Sequence, residues 1–179
     1  GLGLSGASTD FGTEWQFWPY VLQSGGKIIE NNRAAFNSPE GVAALEFLMS
    51  LTEMGVVPPG LASTDVNQII DLFASNKVGM WQDGPWFIGI TKGSHPDVNL
   101  CVAPMTEGVA PGNIAGGTAL GMSPLSENKE AAWEFINFMT SDEVLARWAV
   151  AFEHVPPNYA AFDEPLFQDG PMAVAAQAV

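Results

Sequence analysis

The stretch MWQDGPWFIGI, residues 80 to 90, gathers two tryptophans, one aspartate and a Gly-Pro pair. An aromatic ring offers a large polarisable face, and a carboxylate offers two acceptor oxygens. Two readings of this stretch compete. In one, Gly84-Pro85 is an ordinary turn and Trp86 is core. In the other, the turn lifts Trp86 to the mouth of a cleft, where its face meets a ligand. Groups for covalent chemistry are scarce. Cys101 is the only cysteine, so no internal disulfide can form. It lies in the apolar run LCVAP, where a buried, inert thiol is expected. His95 and His154 stand far apart in turn-like settings. No metal-ligand spacing and no Cys-His or Ser-His-Asp arrangement emerges, and no cofactor is expected.

The elements that must position these residues follow from periodicity and caps. Residues 1 to 5 are short, apolar and Gly-spaced, as in a strand, and the turn-rich STDFG follows. TEWQFWPYVLQSGG predicts a helix whose regular part begins near Trp15 to Trp18, which would leave Pro19 in the first turn. Gly25-Gly26 ends it. GKIIENNRAAFN predicts a short hairpin or an extended loop. Ser38 is an N-cap, Pro39 takes the first helical position and Glu40 complements the dipole. Val42, Leu45, Leu48 and Met49 repeat at helical spacing, and Gly55 stops that helix. Another helix is expected over Asp65 to Ala74, with Ile69, Ile70 and Phe73 inward.

KVGMWQ reads as a strand and DGP as a turn, with Pro85 opening a short helix through Ile90. VNLCVAPM reads as a buried strand ended by Pro104, and IAGGTALGMS as a strand broken by Gly116-Gly117. Ser126 is expected to cap a helix running through Met139, with Ala132, Phe135 and Met139 on one face. Ser141-Asp142-Glu143 opens a further helix with Val144, Leu145, Trp148 and Phe152 as its stripe. HVPPNYAAF turns the chain back. Strands alternating with helices argue for the α/β class, in which ligands collect at strand ends.

Composition bounds the partners. The chain has 179 residues, 47% of them apolar, which suits one domain or a domain plus part of a second. No apolar run reaches the roughly 18 residues of a membrane-spanning helix. Twenty acids against six Lys and Arg give a formal net charge of −14. A nucleic acid or an anionic membrane surface would be repelled, whereas neutral and cationic ligands remain open. GLGLSG lacks an initiator Met, a basic segment and a signal peptide's apolar run, and AVAAQAV reads like a helix cut short. A piece of a longer chain is expected.

Four stretches then carry a resemblance, in order and over nearly the whole chain. DLFASNKVGMWQDGPW is similar to a signature of the extracytoplasmic solute-binding proteins of carbohydrate ABC importers, through Phe73, Lys77, Gly79, Met80, Gly84 and Trp86. IAGGTALGMSPLSENKEAAWEFINFMTSDEV resembles the same family's Gly-Gly strand, S-x-N-K-E-A-A-W-E-F and following helix. WQFWPYVLQSGGKIIEN with SPEGVAALEFLMSL resembles its helix, double Gly, short β element and next helix. VPPNYAAF is similar to its proline turn. The maltose- and oligosaccharide-binding proteins carry the same G-P-W.

The resemblance implies a type II, periplasmic-binding-protein-like α/β lobe within an incomplete two-lobe architecture. Residues 1–112 would be a segment of the C-terminal lobe. Residues 113–179 would cross the hinge and return, partly into the first lobe. It also implies a sugar or oligosaccharide in a cleft closed by hinge motion, delivery to a membrane permease, an extracytoplasmic location, a monomer and no catalysis. Sugars present C–H faces and hydroxyl edges, so aromatic plates and a few fixed polar groups are needed. Trp86 falls where the family stacks an aromatic on a sugar ring. Trp15 falls where relatives place a cleft aromatic, just before W-P. Gly116, Gly117 and Thr118 match the double-Gly step, where bare backbone can approach a ligand, although a bulge toward the hinge explains it equally. Asp83 and Glu14 flank the two aromatics and could accept hydroxyls, or be solvated turn acids. Trp18, Trp81, Trp133 and Trp148 read as core.

Rival readings remain. A glycoside hydrolase needs two carboxylates at a set separation, and none of the many acid pairs stands out. A polyamine-binding protein would suit the acidity, but only Asp83 is close to Trp86 in sequence. A fragment without activity is the third.

Overall fold

The computed structural model describes residues 1–7, 12–158 and 162–176. Ser8 to Phe11, in the expected STDFG turn, lie outside the described residues, as do Tyr159 to Ala161 of the proline turn and the last three residues. The chain divides into two compact units. One holds residues 1–84 and 105–114, and the other holds 85–104 and 115–179.

In the first unit, β1 (Leu2–Gly3) pairs in parallel with β4 (Met80–Trp81), with Leu2 opposite Met80 and Gly3 opposite Trp81. Gly3 is required by close approach. A β-carbon there would stand 2.5 Å from Ile69 Cγ2 of α3 (Val66–Ala74). Ile69 and Ile70 of α3 are buried, and Phe73 meets Trp81 edge-on at 4.5 Å. Asp65 and Gln68 close a reciprocal capping box at the start of α3.

α1 (Gly12–Gln23) is longer at its start than its proline suggested. Pro19 sits inside the helix, contrary to the expectation that it opens the regular part. It cannot donate to the carbonyl four residues back. Its ring is fully buried, and this burial offsets the lost bond. The helix ends as expected, at Gly25 with φ +82°.

The hairpin also forms. β2 (Ile29–Glu30) and β3 (Arg33–Ala34) are antiparallel, joined by Asn31 and Asn32, both left-handed. Two residues with positive φ make the tight turn whose twist matches the strands. Lys27 forms an ion pair with Glu30 beside it. Ser38 caps α2 (Pro39–Glu53), its hydroxyl accepting from the Gly41 N–H at 3.2 Å. The apolar repeat of α2 is not its buried face. Gly41 and Ala44 are buried, whereas Val42, Leu45 and Met49 are exposed.

The second unit holds α4 (Trp86–Ser94), which runs four residues beyond Ile90, then α5 (Lys129–Met139), α6 (Asp142–Phe152) and α7 (Gly170–Ala176). Its core gathers Ile88, Ala149, Phe167 and Met172, with Leu100, Val102 and Val155 packed against them. Ser126 is not the cap of α5. Its hydroxyl instead accepts from the Asn128 N–H, and Asn128 takes the cap position.

Several expected core positions face outward. Trp133, Phe135, Trp148 and Phe152 are exposed, while Ala146 and Ala149 are the buried residues of α6. VNLCVAPM and IAGGTALGMS form no strand among the described residues, because an extended segment needs a ladder partner and neither has one there. Residues 98–103 do alternate between half-covered and exposed, and Cys101 falls on the exposed side. The expectation of a buried thiol is therefore overturned.

Candidate functional site

Two arrangements contain the candidate residues, one in each unit. In the first unit, Glu14 and Trp15 lie in the opening turn of α1, Glu14 exposed and Trp15 half-buried. Asp83 and Gly84 follow β4. The Asp83 carboxylate accepts from the Gly84 N–H at 2.8 Å, which shapes the turn. A residue the sequence reading missed joins these segments. Gln16 is buried, and its side-chain oxygen accepts from the Ser5 N–H at 2.6 Å. Its side-chain N–H donates to the Gln82 carbonyl at 3.0 Å, and Gln82 returns a bond to the Gln16 carbonyl at 3.4 Å. Glu14-Trp15 and Asp83-Gly84 thus flank one hydrogen-bonded pair.

Gln23, seven residues on, repeats the device. It is buried and donates to the Gly112 carbonyl at 2.9 Å, while its own carbonyl accepts from Val109. Gly12, Gln16, Pro19 and Gln23 are spaced by four, three and four, so they share one helix face. The signal was present in the sequence as two glutamines at helical spacing. A search for apolar periodicity passes over it.

In the second unit, Trp86 is the first residue of α4, directly after Pro85. It is half-buried, which fits neither a fully packed core ring nor a free surface ring. Its ring lies 6.0 Å from that of His154, with planes 27° apart, within the range of offset stacking. Gly116, Gly117 and Thr118 are exposed on irregular backbone. A β-carbon at Gly117 would meet nothing within 4 Å, so close packing does not explain that glycine. A depression of about 350 Å³ beside α3, lined by Gly60, Gln68, Asp71 and Lys77 among others, contains none of the candidate residues. Among the described residues, no three His, Cys, Asp or Glu come together as a metal site would require.

The two arrangements offer aromatic faces, carboxylates and exposed backbone. Known proteins agree with a binding role. Residues 3–175 match the family described as bacterial extracellular solute-binding protein. A binding protein of Brucella abortus is 26% identical over 162 residues, covering 88% of this chain and 39% of its own length. The structure is similar to an ABC transporter solute-binding protein from Thermotoga lettingae bound to α-D-tagatose, at 28% identity and a TM-score of 0.73. That match covers 99% of this chain and 43% of the other. It is also similar to maltose-bound MalE3 of T. maritima, at 24% identity and a TM-score of 0.79, covering 99% of this chain and 48% of that one. The chain therefore spans less than half the length of these relatives. Its fold is that of periplasmic-binding-protein-like solute-binding proteins. A family match over nearly the whole chain and this shared fold lead to one conclusion: the chain belongs to the bacterial extracellular solute-binding proteins.

Proposed function

We propose that this chain is part of a protein that binds a sugar or oligosaccharide in a cleft between two lobes and hands it to the permease of an ABC importer. The single observation that carries the reading is Trp86, half-buried at the start of α4 behind a Gly-Pro turn. A ring held in that way can cover the C–H face of a sugar. The tagatose and maltose bound by two similar structures support the same ligand class. Trp15, Glu14, Asp83, Gly84, Gly116, Gly117 and Thr118 are proposed to complete the site. Residues 1–112 are assigned to the C-terminal lobe and residues 113–179 to the hinge crossing and return. The exposed rings of α5 suit a helix that packs on further chain in a longer protein. Closure is a hinge motion and no bond is made or broken.

The test is a thermal-shift screen of the full-length protein with mono- and oligosaccharides, with spermidine beside them. A sugar at about 100 times its dissociation constant adds about 2.7 kcal/mol and raises the melting temperature. Trp86→Ala is expected to weaken binding about 30-fold or more, as removal of a central aromatic anchor does. A response to spermidine alone, or a sugar response untouched by Trp86→Ala, would refute the reading.

A further inference from the structure

The end of α6 brings two more groups to the start of α4, and neither was assigned a role by sequence. The His154 ring is exposed and lies beside Trp86. Its Nδ1 is 2.8 Å from the Phe152 carbonyl oxygen, so Nδ1 carries the proton and donates. In the Nδ1–H tautomer, Nε2 is left as an acceptor. Glu153 caps α6 in the left-handed region, with φ +52°. Few residues other than Gly and Asn adopt this conformation, and such positions recur at functional sites. The Glu153 side chain lies over α4 where Gly89 has none. A β-carbon at Gly89 would stand 3.0 Å from Glu153 Oε2. That oxygen is shielded from solvent and has no hydrogen-bond partner among the described residues. A shielded carboxylate oxygen without a donor is costly and calls for one.

We infer that Trp86, Glu153 and His154 form one ligand subsite, specific for an uncharged, hydroxyl-rich ring. The inference rests on the sugar-binding reading above. The paired rings cover a C–H face. Glu153, after a turn of its flexible side chain, and His154 Nε2 accept ligand hydroxyls. The subsite offers acceptors but no cation, so an acidic sugar is rejected by the carboxylate.

Calorimetric titration of the full-length protein with maltose, D-tagatose and glucuronate tests this. Glu153→Gln is expected to weaken binding of the neutral sugar about 10-fold or more, as loss of a bond to a charged group does. Glu153→Asn, which suits the left-handed backbone, should weaken it similarly and guards against a folding defect. His154→Ala should weaken binding about fivefold, and His154→Phe should recover only part of it, because the ring contact returns and the Nε2 acceptor does not. Melting temperatures of the free variants should match the wild type within a few degrees. If Trp86→Ala abolishes binding while the Glu153 and His154 variants bind within twofold of wild type, the subsite is refuted and the sugar reading stands. Glucuronate binding as tightly as the neutral sugars would also refute it. Failure of the wild type to bind any sugar overturns both.

Discussion

Gln16 carries a clear structural role in the first unit. One buried amide ties the Ser5 backbone, the Gln82 backbone and α1 together. Gln16→Leu removes an acceptor from one buried backbone group and a donor from another. The expected cost is about 1–3 kcal/mol, read as a lower midpoint in urea unfolding. A loss well under that range would mean that water or a neighbour replaces both bonds. Cys101 supplies a second test at this scale. It is exposed, so it should react with a thiol reagent in native buffer as fast as in denaturant, within a small factor. Protection that disappears only on unfolding would return it to the interior. Its flanking apolar residues misled the sequence reading, because an alternating segment places every second residue outward.

At the scale of elements, the local signals held where their partners lie within a few residues. Ser38 needs only the Gly41 N–H to cap α2, and Asn31-Asn32 needs only its own turn. Asn31→Val should cost about 1–2 kcal/mol, because a β-branched residue is poorly accommodated at positive φ. A loss of chemical-shift dispersion in the hairpin, or a lower melting point, would check it. The carboxyl of Glu40, at the start of the same helix, is held below the usual carboxylate range by its own backbone N–H and then by the Ser38 hydroxyl. A depressed folded pKa stabilises the fold above the unfolded value of about 4.3, and this contribution is lost as pH falls through the folded value. Glu40→Gln should therefore lower stability slightly at about pH 7 and not at all at about pH 2, as seen by paired urea titrations. An equal effect at both would assign Glu40 a packing role instead.

Across the whole molecule, the apolar faces of α2 and α5 are the unexpected feature. Trp133, Phe135 and Phe138 are each more than half exposed, although Trp133 was expected in the core and Phe135 on a face shared with Ala132 and Met139. Serine at these three positions should leave the melting temperature of the 179-residue chain nearly unchanged, since surface substitutions usually stay within about 0.5 kcal/mol. The same change should reduce binding of a hydrophobic dye. A large loss of stability would show that the rings are packed in solution. Helix positions, most caps, the hairpin and the family resemblance could all be read from the chain, because each depends on contacts within a few residues or on ordered motifs. The faces that are buried, the absence of ladders at 98–105 and 114–123 among the described residues, the interior place of Pro19 and the glutamine stripe of α1 could not. Each of these depends on which distant segment arrives opposite. Burial and strand pairing are properties of two surfaces, and a linear pattern records only one of them. The same holds for the pairing of Trp86 with His154, which are separated by most of the second unit and brought together only by the packing of α4 against the end of α6.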